Sequence, residues 1–141
     1  MKKTLILAAT LAATWAIPFA AAACERTITI TNVRSGAGPV MVAVYADEGS
    51  FMKVPALAVR VSASDVTVHV PLCGTEAREI AVMAYQDLNV NQRLDMNPLG
   101  IPTEPFGASG EGVGFGAPSW ARVRVALAAA GAVAVPVALS K

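Results

Sequence analysis

Residues 26–33 read RTITITNV, with Thr27, Thr29 and Thr31 alternating with Ile28 and Ile30. A period of two sends successive side chains to opposite faces, so this stretch predicts a strand with one buried and one exposed face. Residues 34–39 (RSGAGP) are a turn cluster, and 40–46 (VMVAVYA) are almost all apolar, as suits a strand inside a sandwich. Asp47-Glu48-Gly49-Ser50 breaks that run, Phe51 reads as an apolar plug from the connection, and 56–61 predict a short strand. In 66–72 (VTVHVPL) the valines share one face, while Thr67 and His69 share the other. His69 is the only histidine, and with no second imidazole or thiolate to complete a site it reads as a surface residue. Residues 78–86 (REIAVMAYQ) place Ile80, Val82 and Ala84 together, and 120–127 (WARVRVAL) turn Arg122 and Arg124 outward. In 132–139 Pro136 lacks an N–H, which places that strand on a sheet edge. A helix over 126–134 is the alternative there, opposed by Gly131 and the valines. Seven candidate strands, with no repeat or linker between them, predict an all-β chain. The expected fold is an antiparallel β-sandwich, immunoglobulin-like or prealbumin-like, with one long loop.

Hydrophobic residues are 55% of the 141 and charged residues 15%, enough for one packed core and too apolar for disorder. Met1-Lys2-Lys3 followed by the apolar run from Leu5 to Ala23 has the layout of a secretory signal, so residues 1–23 are set aside and 24–141 form the domain. A retained membrane anchor is the alternative. Without Lys2 and Lys3 the 11 basic side chains fall to 9 against 10 acidic ones, a net charge of −1. That balance excludes a nucleic-acid grip, which needs clustered Lys and Arg. No later run is long enough to span a bilayer, which points to a periplasmic or secreted domain. Cys24 and Cys73 are the only cysteines, and in an oxidising compartment an even pair reads first as a disulfide. Closing such a loop stabilises a domain by about 3–4 kcal/mol on the chain-entropy account. Lipidation of Cys24, which follows Ala21-Ala22-Ala23, and two free thiols are the other readings.

Residues 87–106, DLNVNQRLDMNPLGIPTEPF, carry the chemistry. A calcium ion takes six to eight oxygens, and Asp-x-Asn-x-Asn loops supply them from alternate residues. With Asp87 first, Asn89 and Asn91 are third and fifth, the Arg93 carbonyl is seventh and Asp95 ninth, while Glu104 is positioned to close the cage. Gln92 replaces the glycine expected sixth and Pro98 the glutamate expected twelfth. Plain turn chemistry is the competing reading of the same Asn and Asp residues. Some thirty residues without periodicity, from Asp87 to Pro118, need a reason to stay ordered, and a bound ion supplies one. Asp87, Asp95 and Glu104 also allow a second function, a carbohydrate-active or other hydrolase with paired carboxylates. Ser109 and Ser119 lack a Gly-x-Ser-x-Gly elbow. The glycines of 107–116 lack the Gly-Lys-Ser/Thr of a phosphate loop and read as a mobile rim for a partner, anchored by Phe106 and Phe115.

The stretch from Ala84 to Asn91, then Leu94-Asp95, then Gly100 to Gly107, resembles the hallmark of the bacterial domain-of-unknown-function family 2141. The strand at 40–45, Phe51 and Ala117-Pro118-Ser119-Trp120 are also similar in placement. The resemblance implies an exported β-domain with no assigned activity. Gln92 stands where that family tends to have Gly, and Ala108-Ser109 replace an aromatic-Ser pair. The Asp-x-Asn-x-Asn pattern is similar as well to calcium-bearing B-type repeats of bacterial surface adhesins, which are β-sandwiches. Together these imply a non-enzymatic structural or partner-binding role in the cell envelope, the partner being unknown.

Overall fold

The computed structural model describes residues 24, 26–128 and 134–140. The expected signal segment, 1–23, lies outside the described residues. Among the described residues, eight strands and one helical turn follow in order: β1 (Arg26–Thr31), β2 (Val40–Tyr45), β3 (Leu57–Val61), β4 (Val68–Leu72), β5 (Glu79–Gln86), β6 (Phe106–Ala108), α1 (Trp120–Val123), β7 (Arg124–Ala126) and β8 (Ala134–Ala138). They form two sheets. One has the order β4-β1-β8, the other β3-β2-β5-β6, with β7 also paired to β5. β7 lies along Glu79–Ala81 and β6 along Met83–Tyr85, so these two short strands share one edge of β5 end to end.

The alternation read from RTITIT has its expected result. Ile28 and Ile30 are buried, facing Val68, Val70 and Leu72 of the same sheet and Val40, Val42, Val44, Ile80, Val82 and Ala84 of the other. Burying a Val or Ile side chain contributes roughly 1.5–3 kcal/mol, and this shared layer is what holds the sheets together. His69 lies on the exposed face of β4, beside the Thr29 hydroxyl at 3.3 Å. A second apolar layer covers the outer face of the larger sheet. There Tyr45, Ala81, Ala108, Trp120 and Val123 pack together, and Phe51 meets the Tyr45 and Trp120 rings edge-on at 5.3 and 5.9 Å.

Cys24 and Cys73 are joined as a disulfide, beside the Arg26–Leu72 pair that begins the β1–β4 ladder. The sulfur that lipidation would need is in that bond.

Four details differ from the sequence expectation. Trp120–Val123 is a helical turn, not strand, because a spacing of three buries Trp120 and Val123 on one side of a turn, whereas alternation would send them to opposite faces. Arg122 and Arg124 are exposed as expected, with Val123 and Leu127 buried and Val125 partly buried between them. The ladder is not wholly antiparallel, since β8 runs parallel to β1. β6 divides the long irregular stretch in two, and at three residues it is too short for a period to show. Phe115 is no anchor: it is fully exposed, and Val113 packs against the outer apolar layer in its place.

Candidate functional site

β5 ends in Gln86 and Asp87 follows it, both 0% exposed although polar. Buried polar groups must find partners, and here each one does. The Gln86 carboxamide accepts the Arg34 N–H at 2.9 Å and donates to the Arg34 and Gly38 carbonyls at 2.8 and 3.0 Å. The Asp87 N–H donates to the Pro39 carbonyl at 2.9 Å. Gly38 lies so close to the Asp87 carbonyl that a Cβ there would overlap it. The entrance to the loop is thus fixed from the side of the 34–39 turn.

The loop then winds around the Asp87 side chain. Oδ1 accepts the Asn91 N–H at 3.0 Å and Oδ2 the Gln92 N–H at 2.7 Å, the fifth and sixth residues of the segment. Two nested turns follow, with Asn89 Oδ1 accepting the Asn91 N–H at 3.2 Å and Asn91 Oδ1 the Arg93 N–H at 2.9 Å. To make them, Val90 and Gln92 take φ of 60° and 64°. Gln92 therefore adopts the left-handed conformation for which glycine is usual at the sixth position, at the steric cost a Cβ brings there.

Asp95 faces the two asparagines. Its carboxylate accepts the Asn89 Nδ2 at 2.6 Å and the Asn91 Nδ2 at 2.9 and 3.0 Å. Glu104, 5% exposed, spans the loop's two ends: Oε1 accepts the Leu88 N–H at 2.8 Å and Oε2 the Asp95 N–H at 3.1 Å. Tyr85 reports the field of the three acids. Burial first, then the charges of Asp87, Glu104 and Asp95, hold its hydroxyl above the ordinary pKa of 10.0.

The chain thus brings together the side chains of Asp87, Asn89, Asn91 and Asp95, with the Arg93 N–H in the same hydrogen-bonded run and the Arg93 side chain exposed. Glu104 braces the backbone on both sides of that group. Among the described residues no three His, Cys, Asp or Glu side chains gather closely enough to hold a metal by themselves. An ion here would need the asparagine and carbonyl oxygens as well.

Sequence reasoning missed Gln86 and Asn97. Gln86 looked like the last residue of an apolar strand. Asn97 accepts the N–H groups of Leu99 and Ile101 on Oδ1 at 2.9 and 3.0 Å, and its Asn-Pro-x-Gly context was the available signal.

The family model for DUF2141, described as an uncharacterized protein conserved in bacteria, matches residues 28–135. The chain belongs to DUF2141. No curated protein and no solved structure matches it significantly. The matched span of this DUF2141 chain runs from β1 into β8 and contains the whole Asp87–Glu104 loop.

Proposed function

We propose that this DUF2141 protein is an exported, non-catalytic β-sandwich whose Asp87–Glu104 loop takes up a calcium ion and serves a structural or partner-binding role in the cell envelope. One observation carries the calcium reading. The backbone wraps a fully buried carboxylate with N–H groups from its fifth and sixth residues, and the sixth, Gln92, takes a glycine conformation to do so. That wrapping brings the side chains of Asp87, Asn89, Asn91 and Asp95, the oxygen-bearing groups a hard cation takes, into one hydrogen-bonded run.

Asp87, Asn89, Asn91, Asp95 and the Arg93 carbonyl would supply the oxygens, and Glu104 would keep its two backbone amides. The Asn89 and Asn91 amides now donate to Asp95, so the ion must displace those bonds. Affinity is then expected near the about 10⁻⁴–10⁻³ M of extracellular modules. Export is supported by the disulfide, which reducing compartments rarely keep, and among the described residues no helix is long and apolar enough to cross a membrane. The non-catalytic reading is supported by the wiring: both oxygens of Asp87 and of Glu104 face backbone amides. The hydrolase reading, with Asp87, Asp95 and Glu104, has no such observation behind it.

The test is a melt of the protein in EDTA and again in millimolar calcium. At ten times Kd the ion adds about 1.4 kcal/mol, a shift of several degrees. The half-buried Asp95→Asn variant should fold and lose the shift. Equal melts with and without calcium would overturn the proposal.

A further inference from the structure

The β2–β3 pairing comes apart beside the turn that clamps the loop entrance. Its last aligned pair is Val40 with Val61, and beyond it the Ala63 carbonyl accepts the Gly36 N–H at 2.8 Å. Between those two ties stand residues 37–39 on one side and Ser62 alone on the other. The longer side is drawn away toward β5. There the Gly38 carbonyl accepts Gln86 Nε2 at 3.0 Å, the Pro39 carbonyl accepts the Asp87 N–H at 2.9 Å, and Gly38, without a Cβ, closes on the Asp87 carbonyl. A cleft of about 410 Å³ is left, lined by Ala37, Gly38, Pro39, Arg60, Ser62 and Ala63.

Donors are left over around this cleft. Ala63 is 5% exposed, and among the described residues nothing accepts its N–H. A buried amide without an acceptor is rare, because it has given up water for nothing in return. Among the same residues the Gly38 N–H has no acceptor either, and the Arg60 guanidinium has no carboxylate. The carbonyls of Gly38, Pro39 and Ala63 are all taken. Arg60 is the one charged residue of the lining, so the cleft is cationic with no acid to balance it. Main-chain amides and a guanidinium around one space, with the Ser62 hydroxyl among them, are the groups that hold an oxyanion. The volume falls within the roughly 300–1,000 Å³ of small-molecule sites.

We infer that the cleft between the 36–39 turn and residues 60–63 binds the carboxylate or phosphate group of a small molecule, with Arg60 supplying the charge and Ala63 the buried amide. The site lies outside the Asp87–Glu104 loop and does not rest on the calcium reading.

The test is a nitrogen-15 NMR titration of the full chain with sodium phosphate and, separately, with sodium acetate. It is run in EDTA at constant pH, with sodium chloride balancing the ionic strength, so that the result stands apart from any effect of calcium. Saturable shifts of the Ala63 and Gly38 amide signals, with those of residues 96–101 unmoved, are the expected outcome. A response to phosphate alone, to acetate alone or to both identifies the group as tetrahedral, planar or either. Arg60 is exposed, so Arg60→Gln should fold, and it should raise the dissociation constant about tenfold by removing one charge-assisted bond. Arg60→Lys, which keeps the charge, should recover part of that loss. No saturable shift with either anion overturns the inference. Shifts undiminished in Arg60→Gln, or reproduced by sodium chloride alone, would overturn it too.

Discussion

Two irregular segments flank β6, and they are held in opposite ways. Residues 87–105 are fixed by side chains that reach backbone: Asp87, Asn89, Asn91, Asn97 and Glu104 among them accept eight main-chain N–H bonds. Residues 109–119 are fixed by close backbone approach. Ser109 is completely buried, its Oγ donating to the Val123 carbonyl and accepting the Val82 N–H, and the Glu111 N–H bonds the Arg122 carbonyl at 2.8 Å. Gly110, at φ +65°, lies against Arg122 and Val123, where no Cβ fits. The first segment depends on which polar atoms it carries, the second on what it lacks. Loss of an acceptor should therefore harm the one, and gain of a methyl group the other.

The largest break should come from Asp87→Ala. It orphans the Gln92 N–H, leaves the Asn91 N–H on Asn89 Oδ1 alone and empties a buried site, and at roughly 1–3 kcal/mol per unsatisfied buried group the loss is about 3 kcal/mol, near 10 °C in melting temperature. Asp87→Asn, which keeps one acceptor oxygen, should lose about half as much; equal losses would show that charge and not acceptance holds the loop. Next is Gly110→Ala, expected to lose about 2 kcal/mol from its left-handed backbone and from overlap with the Arg122 carbonyl. A neutral result there would mean the second segment is free to shift. Gln92→Gly should raise stability by up to about 1 kcal/mol, because glycine takes that φ without steric cost, and the calcium affinity should rise with it. The smallest effect belongs to Phe115→Ser: with its ring wholly in solvent, denaturant unfolding should move by less than about 0.5 kcal/mol.

Most of the architecture was legible because sheets with a shared buried layer leave a period of two, as in Thr27 to Ile30 and Val68 to Leu72, although Val66, on the same period, lies exposed before β4 begins. The disulfide was the first reading because only two cysteines exist. The parallel pairing of β8 with β1 was not legible, since the choice of neighbour depends on how two finished sheets meet and leaves no mark on either strand's period. The alternation of Val123, Val125 and Leu127 was carried back over Trp120-Ala-Arg, although a strand would have put Trp120 on the face of Arg122. In the loop, the Asp-x-Asn-x-Asn spacing showed which atoms would converge, but not that Gln92 would accept a left-handed backbone. An ion was expected as the source of order there. The hydrogen bonds already supply it, so calcium uptake would tighten an existing loop and not create one.

The β1–β8 pairing also sets a schedule for folding. Ile28 aligns with Val135 across nearly the whole length of the domain, so the smaller sheet stays incomplete until the final strand arrives. Such distant pairings are slow to form, and the partner edge of β1 remains open meanwhile. β4 reaches β1 much earlier, and Cys73 with it, so an oxidant can link the two before β8 is present. The cystine then acts as a clasp on a half-built sheet, keeping the first strand in register for the last.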